Sequence, residues 1–137
     1  MVKKSSLIIL FDTNFLMIPI RFGVDVSSEL ERLLEEKFQP VVPIAVIEEI
    51  QRLNKEAKPG LAKELQFALE MAKKLKQIAE PKISDESVDD YILRIAKEGR
   101  YLVATTDSEL RRRLRRERVT VVYLRQGNHL DLDGPLC

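Results

Sequence analysis

Four short stretches of this chain are almost wholly apolar and rich in β-branched residues: LIILF at 7–11, PVVP at 40–43, YLVAT at 101–105 and VTVVYL at 119–124. Continuous apolar runs of this length suit strands whose sheet is covered on both faces. Between them the apolar positions recur with a helical period. Residues 25–37 carry Val26, Leu30, Leu33 and Leu34, and residues 44–54 read IAVIEEIQRLN. Residues 60–79 put Leu61, Leu65, Ala68, Leu69, Ala72 and Leu75 on one face, which predicts the longest amphipathic helix. SDESVDDYILRIAKEG at 84–99 opens on capping residues and closes on Gly99, and DSELRRRLRRE follows the 101–105 run. AKPG at 57–60 predicts a turn between two helices. This strand–helix rhythm predicts an α/β fold, a parallel sheet flanked by helices.

Composition narrows the reading only slightly. A chain of 137 residues with 45% hydrophobic residues is expected to fold as one domain over 1–137. Charged residues reach 33% but the formal net charge is +1, so an argument for a nucleic-acid partner must come from local clustering. The only cysteine is Cys137, which leaves no disulfide, zinc knuckle or CxxC pair within one chain and is in keeping with a reducing, cytoplasmic setting. No apolar run is long enough to span a bilayer, and the basic start MVKKSS leads into an apolar stretch too short for a signal peptide.

The candidate chemistry lies where strands end. Asp12 ends the first apolar run and Asp107 lies just past the third. In parallel sheets, function gathers at the carboxyl ends of the strands, so two such acids can converge in space. Helix capping is the competing account of each, since Asp is a favoured N-cap and both acids precede helical patterns. Two more acids bear on the choice. At about 100° per residue, Val46, Ile50 and Leu53 form the buried stripe of the helix after the second run; Glu49 borders it and Glu48 faces solvent. In SVDDYILRIA the stripe is Val88, Ile92, Ile95 and Ala96; Asp89 borders it and Asp90 points away. An acid at a core edge is costly unless paired. A basic side chain would serve for one of them, but four in one small domain favour a shared cation. Carboxylates are hard ligands suited to Mg²⁺ or Mn²⁺, and a cluster of about four holds one or two such ions, an arrangement used to activate water for phosphodiester hydrolysis. A phosphate-binding Gly-rich loop, a Walker lysine motif and a His–Cys pair are all missing from the sequence.

These stretches together resemble the PIN-domain nucleases. The resemblance rests on FDTNFL, VIEEI, DDYILRIA and TTDSEL, in that order and between the right elements. It implies Asp12, Glu49, Asp89 and Asp107 as a catalytic, metal-binding set. It is strongest to the small-subunit rRNA-processing branch, through DTNFLMIPIRFGVDVSSEL, the DDYI doublet and LVATTDSELRRRLRRERVTVVYLRQGNHLDLDG. VapC-type toxins share the four acids but usually show small residues, ADAxIAA, where this chain has DDYILRI. The resemblance implies a three-layer α/β/α sandwich around five parallel strands, with PKI at 81–83 offered as the fifth. It implies a divalent-metal-dependent endoribonuclease acting on RNA, with an rRNA precursor as substrate. It also allows a homodimer and, in the toxin branch, a protein antitoxin as inhibitor.

Other features carry two readings each. ELRRRLRRER at 109–118 holds six arginines. Arg111, Arg112, Arg113, Arg115 and Arg116 either grip an RNA backbone or form a solvated face above Leu110 and Leu114. Arg112 and Arg116 share one helical line and Arg111 and Arg115 another; the line turned from the site is expected to pair with acids such as Glu109 and Glu117. Asn14, Thr105 and Asp90 are auxiliary candidates, orienting the acids or waters, with turn and cap hydrogen bonding as the plainer account. His129 is expected at the surface without a catalytic role, and Asp131 and Asp133 alternate with Leu130 and Leu132 as on an edge strand. A noncatalytic RNA-binding or assembly module is the reading from another class, and four intact acids argue against it. A haloacid-dehalogenase-like phosphatase would need a second Asp two residues after Asp12, where this chain has Asn14.

Overall fold

In the computed structural model, which describes residues 6–136, the first apolar run forms β1 (Leu7–Phe11) and the sheet grows from it to both sides. The basic start of the chain and Cys137 lie outside the described residues. On one side stand β2 (Phe38–Pro43) and β3 (Lys76–Ile78); on the other stand β4 (Leu102–Ala104), β5 (Val121–Arg125) and β6 (His129–Asp133). The order is β3-β2-β1-β4-β5-β6. Every pairing is parallel except β5 with β6, where Val122 faces Leu132 and Leu124 faces Leu130 in antiparallel register.

Helices α1 (Thr13–Leu16), α2 (Ile18–Phe22) and α3 (Val26–Leu34) join β1 to β2, and α4 (Ile44–Glu56) and α5 (Pro59–Lys73) join β2 to β3. Helix α6 (Val88–Gly99) carries the chain across to β4, and α7 (Ser108–Arg116) leads on to β5. Right-handed crossovers put α1–α5 on one face and α6 and α7 on the other, giving the α/β/α sandwich. Ile9, Leu10, Val42, Val103, Val121 and Val122 are fully buried between the layers, as continuous apolar strands require. Among the described residues no helix is long and apolar enough to cross a membrane.

Several expectations need correction. The fifth parallel strand is Lys76–Ile78, inside the segment expected to be helical, and 81–83 is loop. Helix α5 stops at Lys73, and Val41–Pro43 offer an unpaired strand edge that Lys76–Ile78 fill; this tertiary pairing outweighs the local helical pattern. Leu53 and Leu61 are 37% and 40% exposed, because they flank the turn at 57–58 between α4 and α5; Ala45 and Ile47 take up core positions instead. Helix α6 starts later than its cap-like prelude, with Ser87 as N-cap accepting from the Asp90 amide at 3.0 Å. Its left-handed closing position falls to Arg100 (φ 57°), one residue after Gly99. Gly99 is needed for space: a Cβ there would meet Tyr101 Cε2 at 2.6 Å.

Candidate active site

Strands β1, β2 and β4 are parallel and adjacent, so their carboxyl ends line one edge of the sheet. Asp12 follows β1 directly, α4 begins immediately after β2, and Thr105 to Asp107 follow β4. The loop after β3 returns to the same edge and places Asp89 in the first turn of α6. Sequence positions 12, 49, 89 and 107 are thus brought to one rim by topology alone.

Both capping readings hold, and neither uses up its carboxylate. Asp12 caps α1, its Oδ1 accepting from the Phe15 amide at 2.8 Å. Asp107 caps α7, its Oδ1 accepting from the amides of Glu109 at 2.9 Å and Leu110 at 3.1 Å. Asp12 Oδ2 accepts from the hydroxyl of Thr105, which is wholly buried and in turn accepts from the Asp107 amide at 3.0 Å. Thr105 therefore ties the two strand-end acids together. Thr13, the residue after Asp12, donates to Glu49 Oε1 at 2.7 Å across 36 positions of sequence. Sequence reasoning missed Thr13; a buried hydroxyl directly after a strand-end acid was its only signal.

The electrostatics separate these acids from the others. Asp12 is 5% exposed, and burial pushes its carboxyl from an ordinary 3.8 up to about 7, against the lowering effect of its hydrogen bonds to Thr105 and Phe15 and with added repulsion from Asp89 and Asp107. Asp89 is also raised, by burial first and then by the charges of Asp107 and Glu49. Asp89 and Asp107 repel Asp12, and Glu49 and Asp107 repel Asp89, so the four acids are linked through Asp89 and Asp107. Several other acids that are not fully exposed, or that flank the group, are matched: Glu86 with Arg94 at 2.9 Å, Asp133 with Arg111 at 2.8 Å, Asp90 with Arg113 at 2.5 Å. Among the described residues none of Asp12, Glu49, Asp89 or Asp107 has a basic partner within ion-pair distance.

An unmatched buried carboxylate with hard oxygen neighbours fits a divalent cation as its missing counter-charge. Among the described residues no group of three or more such side chains is already arranged to clasp a metal ion. Mg²⁺ keeps several waters and takes only one or two direct carboxylates, so a hydrated ion does not require such a clasp.

The doublets divide between site and surface. Glu49 and Asp89 are half-buried, and Glu48 and Asp90 are exposed. Asp90 holds Arg113, which thereby lies near Asp89. Asn14 is exposed, and among the described residues its side chain makes no hydrogen bond with the acids. The arginines of α7 also divide. Arg111 and Arg115 pair with Asp133 of β6, at 2.8 and 3.2 Å, and Arg111 stacks 3.6 Å from the centre of the Tyr123 ring. The expected partners Glu109 and Glu117 do not serve: Asp133 is brought in by the antiparallel hairpin, and Glu117 pairs with Lys97 at 3.0 Å. Arg112 and Arg116 are exposed, line one groove with Glu109 and Arg113, and form no ion pair among the described residues.

Residues 9–127 match the model of the family described as PIN like domain. The chain belongs to that family. The PIN reading of the sequence and the sandwich agree with two further comparisons. Ribonuclease VapC4 of Methanocaldococcus jannaschii is 32% identical over 124 residues, which cover 90% of this chain and 94% of that protein. Among solved structures, the PIN domain endonuclease Utp24 superposes with a TM-score of 0.74 at 23% identity, covering 93% of this chain and 92% of that one. A domain of a functionally unknown protein from Methanocaldococcus jannaschii superposes with a TM-score of 0.58 at 19% identity, over 88% of this chain and 92% of that one. Both superpositions speak to the fold alone.

Proposed function

We propose that this PIN-domain protein is an endoribonuclease that depends on Mg²⁺ or Mn²⁺ and hydrolyses RNA phosphodiester bonds. The observation that carries the proposal is the buried carboxylate of Asp12, without a basic partner among the described residues and set beside Asp89 and Asp107, with Glu49 next to Asp89, at the carboxyl edge of the sheet. Asp12, Glu49, Asp89 and Asp107 would hold the cation. When bound, it supplies charge stabilisation for the phosphoryl group and makes water a stronger nucleophile. Thr105 fixes Asp12 against the backbone of Asp107, and Thr13 fixes Glu49 Oε1, leaving Oε2 to accept a hydrogen bond from water. Burial of Asp12 limits competing solvent on that side of the site. Arg112 and Arg116, which form no ion pair among the described residues and lie on the helix that Asp107 caps, offer positive charge to the RNA backbone beside the acids.

The test is cleavage of RNA with Mn²⁺ by the wild type and by Asp12→Asn and Asp107→Asn. Each variant should keep the fold and lose activity by orders of magnitude; wild-type turnover in either refutes the shared-cation site.

Two substrates are favoured by different observations. DDYI and the long stretch after β4 favour an rRNA precursor. The 32% identity with Ribonuclease VapC4 favours a toxin ribonuclease restrained by a protein antitoxin. Growth arrest on expression, relieved by a co-expressed small protein, selects the toxin; accumulation of an rRNA precursor on depletion selects processing.

A further inference from the structure

The loop between β3 and α6 is polar and exposed, yet it is heavily fastened. Tyr91, whose ring is buried in the core, donates its hydroxyl to the Glu80 carbonyl at 2.5 Å. Arg94 donates to the Pro81 carbonyl at 3.2 Å and grips both oxygens of Glu86 at 2.9 Å, and Glu86 Oε1 also accepts from the Ile83 amide at 3.0 Å. Residues on both sides of Lys82 are therefore held, while Lys82 itself is exposed. Connecting loops are usually more mobile than the elements they join, and these bonds hold this one in place.

What the fastening does is set Lys82 across a cleft from α4. Glu48, Glu49 and Arg52 line one wall, and Lys82 and Val88 the other. Among the described residues neither cation pairs with the acids of the cleft, Glu48 and Glu49. Glu86, an acid that feels the charge of Lys82, has its oxygens committed to Arg94 and Ile83, and Glu49 Oε1 is committed to Thr13. Among the described residues Arg52 and Lys82 form no ion pair. Glu49 belongs to both the cleft and the acid group, so the two positive charges stand directly beside the site. They flank it on the Glu49 side, whereas Arg112 and Arg116 lie on the helix capped by Asp107, with Asp89 between.

We propose that Arg52 and the fastened Lys82 form a second phosphate-binding wall, which takes the backbone of single-stranded RNA on the side of the acids opposite α7. This rests on the ribonuclease reading above. Two basic walls with the acids between them define a track across the carboxyl edge, and a strand held at both ends presents its intervening phosphate to the acids. A single strand is the fitting ligand, because its backbone bends to touch two walls and because both walls read charge rather than base edges.

The test uses the full chain in an Asp12→Asn background with Mg²⁺, and a fluorescein-labelled 12-nucleotide oligouridylate, with anisotropy measured over a range of salt. Replacing Arg52 and Lys82 together by Gln should weaken binding about tenfold or more near 0.1 M salt and flatten the log–log salt slope by about 1.4, or about 0.7 per lost phosphate contact. The charge-matched control replaces Lys37 and Arg100, exposed residues that precede β2 and β4 at the opposite edge of the sheet, and should bind like the parent. If the parent binds and the Arg52/Lys82 pair leaves affinity and slope unchanged, or if the control loses as much, the second wall is refuted and the ribonuclease reading stands. If the parent binds no RNA even at low salt, both fall.

Discussion

Replacing Asp12 by Asn should stabilise the metal-free protein at neutral and alkaline pH. In the unfolded chain this carboxyl ionises near 3.8, and in the fold burial holds it protonated up to about 7. Between those values the folded state binds the extra proton, so stability is fully present in acid and is lost as pH rises. About three pH units at about 1.4 kcal/mol each give a loss of about 4 kcal/mol by pH 8. Asn at position 12 has no charge to bury. Its Oδ1 keeps the bond from the Phe15 amide, but its Nδ2 meets a Thr105 hydroxyl that already accepts from the Asp107 amide, which strands the hydroxyl proton at a cost of about 1 kcal/mol. The net gain is about 3 kcal/mol at pH 8, or roughly 10 °C in Tm for a chain of this size, reversing to a loss of about 1 kcal/mol below pH 4. Thermal melts followed by circular dichroism in EDTA at several pH values read this directly, since the difference between the two proteins cancels the titration of every distant group. Added Mn²⁺ should raise the wild-type Tm and leave the variant nearly unmoved. A variant that melts below wild type at pH 8 in EDTA would show that Asp12 already has its counter-charge within the protein, and the cation argument would lose its foundation.

Three further outcomes follow from the same geometry. Glu49→Gln and Asp89→Asn should cost far more cleavage activity than Glu48→Gln; Asp90→Asn should fall between, because it releases Arg113, and equal losses within the α4 doublet would sink the assignment of faces. Arg112→Gln with Arg116→Gln should weaken RNA binding and flatten its salt slope by about 1.4, whereas Arg111→Gln with Arg115→Gln should leave the slope alone and lower stability by about 1 kcal/mol through the loss of Asp133's partners, measured by urea melts. Thr13→Val keeps the volume but frees Glu49, and should lower the cleavage rate about 10- to 100-fold with little change in Tm; unchanged kinetics would mean that Glu49 needs no anchoring.

Much of this protein is already present in its local patterns. Four apolar runs marked β1, β2, β4 and β5, because strands covered on both faces must be apolar throughout. The helical period separated Glu49 from Glu48 and Asp89 from Asp90, because the angle between successive residues on a helix is set by backbone geometry rather than by context. Asp12 and Asp107 were legible as both caps and strand-end acids, and they are both.

What needed the tertiary structure was every property that depends on a distant partner. Lys76–Ile78 became a strand because β2 left an open edge, which nothing in its own pattern announces. Arg111 and Arg115 found Asp133 rather than their helix neighbours, because the β5–β6 hairpin carries that acid beneath them. Thr13 reached Glu49, and Tyr91 and Arg94 fastened the Lys82 loop, through contacts that only chain folding creates. The raised carboxyl of Asp12 belongs with these. A carboxylate's cost is set by what surrounds it, and the surroundings of Asp12 are assembled from β1, β4, α6 and α7, elements separated by most of the length of the chain.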